Sequence, residues 1–151
     1  MLCDLGGVLL LNICDDILLD WWDAHTTKAA RKIVIIGDSH TRGLANSLNS
    51  VLNSENELLN LLKPGAGSDS LKESLTETVH NLTKEDVVVI SCGTNDMNQN
   101  NFNYTYINIK DYLLTLKNTK VLVLGIPFRY DLQKSKEINS KIGNIIRNCQ
   151  N

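Results

Sequence analysis

The stretch Ile33–Ser39, with the sequence Ile-Val-Ile-Ile-Gly-Asp-Ser, decides the fold class of this 151-residue chain. Its four consecutive apolar, β-branched residues are typical of a strand that is buried on both faces, as strands are in a parallel sheet. A glycine and two polar residues end this run, and apolar residues at helical spacing follow between Leu44 and Leu52. The stretch therefore predicts a strand, a turn and a helix in succession.

The same pattern continues along the chain. Further strands are predicted at residues 57–62, 87–90 and 121–124, with helices between them and a last helix at residues 132–147. A loop is predicted at residues 63–68 from its proline and glycines. Strands that alternate with helices in this way predict an α/β fold, in which an open parallel sheet carries helices on both faces.

Residues 1–31 differ from the rest, because they are rich in leucine and aspartate and end in a polar stretch. They predict an N-terminal extension or a poorly defined helix, separate from a domain at residues 32–151. The alternative is a helix that binds a partner, since the apolar residues between Ile17 and Trp22 fall on neighbouring positions of a helical face.

The overall composition restricts the kinds of partner. The chain is 42% hydrophobic and 21% charged, which is typical of one globular domain. A formal net charge of −2 gives no electrostatic reason to expect nucleic acid or an anionic membrane as a partner. Only 5% of the residues are aromatic, so no stacking surface for single-stranded nucleic acid is indicated.

The cysteines and the apolar runs bear on cofactors and location. None of the four cysteines lies in a Cys-x-x-Cys pair and no histidine clusters with them, so we expect no metal site. Cys92 ends an apolar run and is expected to be a buried free thiol. No apolar run approaches the roughly 20 residues that span a membrane. The N-terminus carries aspartates where a secretory signal carries basic residues, which favours an intracellular location.

Three polar segments follow predicted strands or lie between them. They are residues 37–40, with the sequence Gly-Asp-Ser-His, residues 64–66, Pro-Gly-Ala, and residues 93–96, Gly-Thr-Asn-Asp. Ligands bind to open α/β sheets beyond the carboxyl ends of the strands. We therefore expect the three segments to open at the same edge of the sheet and to form a site there.

These three segments resemble the sequence blocks of the SGNH/GDSL hydrolases, a superfamily of esterases and lipases. Residues 35–39 resemble the first block, residues 64–66 the glycine block, and residues 93–96 the third block. The resemblance extends from Lys32 to Arg147. It implies a three-layer, flavodoxin-like α/β/α fold and the hydrolysis of small acyl or acetyl esters without a cofactor.

Carried over position by position, the resemblance implies that Ser39 is the nucleophile. It further implies an oxyanion site made of the N–H groups of Ser39 and Gly65 and the side-chain amide of Asn95. The chemistry of these residues agrees, because a serine N–H at a helix start, an unobstructed glycine N–H and an uncharged amide can all donate to a developing negative charge. Asp38 and Asp96 are assigned to substrate binding.

Each of these residues also has a purely structural interpretation. Ser39 is a candidate N-cap of the following helix, and Gly65 is a candidate turn glycine. Asn95 and Asp96 are together suited to an Asx turn, and Asp38 is expected to order its loop by hydrogen bonding. The occurrence of all three segments in one chain favours the catalytic interpretation.

A serine nucleophile needs a base, and the family's Asp-x-x-His motif has no match in this chain. The histidines are His25, His40 and His80. His40 directly follows Ser39, and successive residues at a turn point in different directions, so His40 is a poor candidate for the base. His80 is expected at the opposite edge of the sheet. We therefore expect a domain truncated before its last strand and helix, as in partial copies of the similar domains in some retrotransposon-encoded proteins.

Three functions stay open at this point. The first is an esterase-type hydrolase, and the second is a non-catalytic binding module of the same fold, which the lack of a recognised base favours. The third is an inactive fragment that exposes a sheet edge where a further strand would pair. The identity of the ester and the oligomeric state are not determined by the sequence.

Overall fold

The computed structural model describes residues 4–5, 8–11, 31–52, 54–98, 102–116, 118–126 and 135–148. The strands are β1 (Asp4–Leu5), β2 (Val8–Leu11), β3 (Lys32–Gly37), β4 (Glu57–Leu62), β5 (Val87–Ser91) and β6 (Lys120–Leu124). The helices are α1 (Arg42–Val51), α2 (Leu71–Thr78), α3 (Thr94–Asn98), α4 (Phe102–Thr115) and α5 (Ser135–Asn148). Single 3₁₀ turns lie at Ser39–Thr41 and Val79–Asn81.

The strands form one sheet in the order β1-β2-β6-β5-β3-β4. All neighbouring pairs from β2 to β4 are parallel, and only β1 pairs with its neighbour in the antiparallel sense. β3 pairs on both sides, so that Ile36 lies between Leu61 of β4 and Ile90 of β5. Parallel pairing brings the carboxyl ends of β3, β4 and β5 to one edge of the sheet.

Alternate residues of the strands face two hydrophobic layers, because successive side chains of a strand point to opposite faces. On one face Ile33 and Ile35 pack with Ala45 and Leu48 of α1. The other face is covered by helices α2, α4 and α5. Burying one such aliphatic side chain contributes roughly 1.5–3 kcal/mol, which explains why unbroken apolar runs form the strands. The predicted α/β fold with a parallel sheet and a helical layer on each face is confirmed.

Residues 4–5 and 8–11 form strands, although the sequence interpretation placed them in an extension or a poorly defined helix. β2 pairs in parallel with β6, with Leu9 opposite Leu122. The reason is that Val8–Leu11 is apolar throughout, which suits a strand inside a parallel sheet better than an amphipathic helix. β2 thus covers the side of β6 that β5 leaves open.

The apolar stretch at residues 17–22, interpreted above as a candidate partner-binding helix, lies outside the described residues. The domain boundary before Lys32 stays a prediction. So does the truncation.

Asp86 connects the amino ends of β3, β5 and β6 by hydrogen bonds. Its Oδ1 accepts a hydrogen bond from the N–H of Lys32 at 2.9 Å, and its Oδ2 accepts from the N–H and hydroxyl of Thr83 at 2.7 and 3.0 Å. Its carbonyl oxygen accepts from the N–H of Lys120 at 3.2 Å. Burial alone would raise the pKa of Asp86, but the hydrogen bonds from Lys32 and Thr83 outweigh burial and hold the pKa below its usual value.

The substitution Asp86→Asn is expected to destabilise the protein near neutral pH, because an amide nitrogen cannot accept the hydrogen bonds from Thr83. The folded-state pKa of Asp86 is the lower one, so its contribution is complete above the unfolded-state value of about 3.9. It is lost as the pH falls through the folded-state pKa. The difference in the free energy of unfolding between wild type and variant should therefore shrink as the pH is lowered, as measured by urea denaturation.

The exposed neighbour Glu85 provides a matched control as Glu85→Gln, since its ion pair with Lys120 spans 3.9 Å at the surface. If the difference in the free energy of unfolding between wild type and Asp86→Asn stays constant with pH, the proposed role of the Asp86 carboxylate is wrong.

Candidate active site

Asp38 organises the turn between β3 and α1. It is 1% exposed and is the N-cap of the 3₁₀ turn, where its Oδ1 accepts hydrogen bonds from the N–H and from the Nδ1 of His40, both at 2.9 Å. Its carbonyl oxygen accepts from the N–H and the hydroxyl of Thr41. Asp38 is the N-cap of the 3₁₀ turn and Thr41 is the N-cap of α1, so Ser39 caps neither element. Ser39 is exposed at the first position of the turn.

The glycine segment forms a tight turn that is attached to the end of β3. The N–H of Ala66 donates to the carbonyl oxygen of Lys63 at 3.1 Å, and the N–H of Lys63 donates to that of Gly37 at 3.0 Å. Gly65 has φ +73° and follows Pro64, which is the arrangement of a type II turn. This conformation requires glycine at position 65. The N–H of Gly65 makes no hydrogen bond within the described part of the chain, and nothing lies within 4 Å of where a Cβ would be.

Asn95 joins the three segments. Its Nδ2 donates to the carbonyl oxygen of Ala66 at 2.9 Å and to Oδ2 of Asp38 at 3.2 Å. Both partners are acceptors, so they fix which end of the amide is the nitrogen. The bridge brings the residue before Ser39 and the residue after Gly65 together, as the strand pattern predicts. It also engages both N–H groups of the amide.

Asp96 holds the glycine segment from the other side. Its two carboxylate oxygens accept from the N–H of Ser68 at 3.0 and 3.1 Å, and its Oδ2 accepts from the hydroxyl of Thr105 at 2.6 Å. Ser68 is fully buried and receives a further hydrogen bond on its hydroxyl from Asn108 at 2.8 Å. The hydroxyl of Tyr112 donates to the carbonyl oxygen of Ser68. These contacts fasten residues 66–68 to α3 and α4.

Both aspartates assigned to substrate binding are buried, and their carboxylates receive hydrogen bonds from the protein. This environment favours the loop-ordering role that the sequence analysis also gave to Asp38. The substrate-binding role of Asp38 and Asp96 stays a prediction.

Sequence reasoning missed three hydrogen-bonding residues of α4. Thr105 donates to Asp96, whereas Asn108 and Tyr112 donate to Ser68. A signal was present, because these residues are spaced three and four apart and therefore lie on one face of the helix. The same face of α4 also carries Ile109 and packs against the hydrophobic core. Polar groups on a core-facing stripe indicate a buried hydrogen-bond network.

Two further groups near the site remain uncharged. Cys92 is a buried free thiol, as predicted, and its pKa is raised by burial and also by the nearby carboxylates of Asp96 and Asp38. The pKa of Tyr112 is likewise raised, chiefly by burial. Tyr112 therefore acts as a hydrogen-bond donor to the loop at neutral pH.

Gly93 allows α4 and the segment that follows β6 to pack closely at the end of β5. Its φ is +110°, and a Cβ at this position would lie 2.7 Å from Cγ2 of Thr105 and 2.8 Å from Cδ1 of Ile126. A side chain at residue 93 would push both neighbours away from the end of β5.

The residues that the structure describes contain no group of three histidine, cysteine, aspartate or glutamate side chains that could hold a metal ion. None of the described helices has the length and apolar character needed to cross a membrane.

The substitution Asp96→Asn is expected to lower the free energy of unfolding by about 1–3 kcal/mol, because one carboxylate oxygen becomes an amide that faces the buried donors Ser68 and Thr105. Urea denaturation measures this loss. The control is Asp111→Asn, which breaks an exposed ion pair with Lys72 at 3.1 Å and should cost under about 1 kcal/mol. Equal losses in the two variants would show that the network does not stabilise the loop.

No family model and no curated protein matches the chain. Its structure is similar to that of a member of the lipolytic protein G-D-S-L family from Veillonella parvula, with a TM-score of 0.62 and 19% identity over 79% of this chain and 72% of that one. It is also similar to a lipase/acylhydrolase from Enterococcus faecalis, with a TM-score of 0.64, 19% identity and the same two coverages. The chain therefore has the α/β fold of GDSL-type lipolytic hydrolases.

Proposed function

We propose that the chain is a serine esterase-type hydrolase that acts on small acyl or acetyl esters, with Ser39 as the nucleophile. The observation that supports this proposal most strongly is the bridge made by Asn95. A single amide contacts the residue before Ser39 and the residue after Gly65. Asn95, itself a predicted donor, thus connects the turn that carries the predicted nucleophile with the turn that carries the predicted donor Gly65.

In this proposal the hydroxyl oxygen of Ser39 attacks the carbonyl carbon of the ester, and the carbonyl oxygen becomes negatively charged. The N–H groups of Ser39 and Gly65 and the amide of Asn95 donate hydrogen bonds to that oxygen. The exposed position of Ser39 and Gly65 supports access of an ester from solvent. Each donor of this kind contributes about 3–4 kcal/mol of transition-state stabilisation.

Asn95 has to exchange one hydrogen-bond acceptor in order to donate to the oxyanion. Its two N–H groups donate to Ala66 and Asp38, so an incoming oxyanion replaces one of these acceptors. A charged oxygen accepts a stronger hydrogen bond than a neutral peptide carbonyl does. Replacement of the carbonyl oxygen of Ala66 is therefore favoured once negative charge develops on the substrate.

The substitution Ser39→Ala is expected to abolish turnover of p-nitrophenyl acetate, because the attacking oxygen is removed. Asn95→Ala should lower kcat by about 10²–10³-fold, as loss of one oxyanion donor does elsewhere. The control is Ser47→Ala, which removes an exposed hydroxyl from α1 and should leave the rate unchanged. Equal rates for wild type and Ser39→Ala would contradict the proposal.

A non-catalytic binding module is the second candidate, and the engagement of both Asn95 donors favours it. A fluorophosphonate probe separates the two functions, because it labels only a serine that is activated as a nucleophile. Labelling that is lost in Ser39→Ala supports the hydrolase. Failure of wild type both to label and to hydrolyse p-nitrophenyl acetate supports the binding module.

A further inference from the structure

We propose that Asp38 and His40 form a carboxylate–imidazole pair that takes the proton of Ser39 through one water molecule. The inference rests on the proposed esterase function and supplies the base that the sequence pattern lacks. It uses only residues of the turn that also carries the nucleophile.

The contact between the two side chains is direct. Nδ1 of His40 lies 2.9 Å from Oδ1 of Asp38, whose side chain is 1% exposed, whereas the side chain of His40 is 45% exposed. A carboxylate only accepts hydrogen bonds, so the proton of the neutral imidazole lies on Nδ1. Nε2 then carries the free lone pair of the ring and is able to accept a proton.

The carboxylate of Asp38 is held independently of the imidazole. Its Oδ1 also accepts from the backbone N–H of His40 at 2.9 Å, and its Oδ2 accepts from Asn95 at 3.2 Å. A carboxylate fixed in this way orients the ring and stabilises the positive charge that develops on it. Asp38 thereby links the proton acceptor to the proposed oxyanion donor Asn95.

Ser39 and His40 are neighbours in a 3₁₀ turn, where successive side chains project roughly 120° apart because there are about 3 residues per turn. The objection to His40 that follows from this geometry applies to direct transfer from Ser39. It does not apply to transfer through one water, which also connects a base to its proton. Ser39 and His40 are both exposed, so water has access to the two side chains.

The proton balance closes over the full reaction. As the oxygen of Ser39 bonds to the acyl carbon, its proton passes to the water, and a proton of that water passes to Nε2 of His40. The imidazolium returns a proton to the departing alkoxide when the ester C–O bond breaks. In the second half, Nε2 takes a proton from the attacking water and returns it to the oxygen of Ser39 when the acyl group leaves.

The variant His40→Ala tests the pair, because it removes the imidazole and keeps the backbone N–H that Asp38 caps. We expect kcat for p-nitrophenyl acetate to fall about 10²–10⁴-fold, the usual contribution of a general base. Added imidazole should restore part of this loss. Because imidazole itself cleaves this ester, the rate of Ser39→Ala in the same imidazole solution is the blank.

His80→Ala is the matched control and should turn over at the wild-type rate, since His80 is an exposed residue of the turn Val79–Asn81 that precedes β5. Asp38→Asn keeps the shape of the side chain and removes its charge. This variant should lower kcat, as His40→Ala does. A thermal melt of each variant reports whether the fold is retained.

The outcomes separate the two proposals. Equal Ser39-dependent rates for wild type and His40→Ala overturn the role of His40 and leave the esterase intact. A loss of rate that imidazole does not restore also overturns it, because it indicates a structural role for the ring. If wild type shows no Ser39-dependent turnover, the proposed function fails and this inference fails with it.

Discussion

The pairing of β3 on both of its sides is the constraint on which the rest of the structure depends. β4 and β5 both run parallel to β3, although they are far apart in the sequence. Their carboxyl ends therefore lie at one edge, and the segments that leave those ends must share the space there. The burial of Ile33–Ile36 on both faces stabilises this pairing, so the hydrophobic core itself brings the polar segments together.

Parallel pairing alone does not set the distances within the site. Two buried carboxylates do, because a buried charge is costly unless it receives hydrogen bonds. Asp38 receives them from His40 and Asn95, and Asp96 receives them from Ser68 and Thr105. Each carboxylate is satisfied only when the neighbouring loop is in its place. The two aspartates therefore specify one arrangement of the loops out of the many that the sheet would allow.

The strands were predictable because each is a short apolar run, whose signal is local. β2 was not predicted as a strand because Val8–Leu11 lies in a region rich in leucine and aspartate. α3 was not predicted because four of its five residues are polar, which is typical of a loop. The contacts of Ser68 could not be derived either, since Ser68 lies 28 residues from Asp96 and 44 residues from Tyr112 along the chain. Contacts of that separation depend on the packing of α4 against the sheet. The position of the His40 ring could not be derived for a similar reason. The ring contacts the carboxylate of Asp38, and Asn95, 57 residues away, helps to orient that carboxylate.

The proposed oxyanion donor Asn95 already has two acceptors within the protein, and this has a consequence for the proposed catalysis. A half-buried amide such as that of Asn95 is stable only when its N–H groups are hydrogen-bonded, and here Ala66 and Asp38 accept from both. A neutral ester carbonyl gains little by displacing Ala66, since one neutral acceptor replaces another. A charged tetrahedral oxygen gains more, because hydrogen bonds to an ionised acceptor are about twice as strong. In the proposed reaction this exchange therefore favours the transition state over the bound ester, and only interactions of this kind accelerate a chemical step.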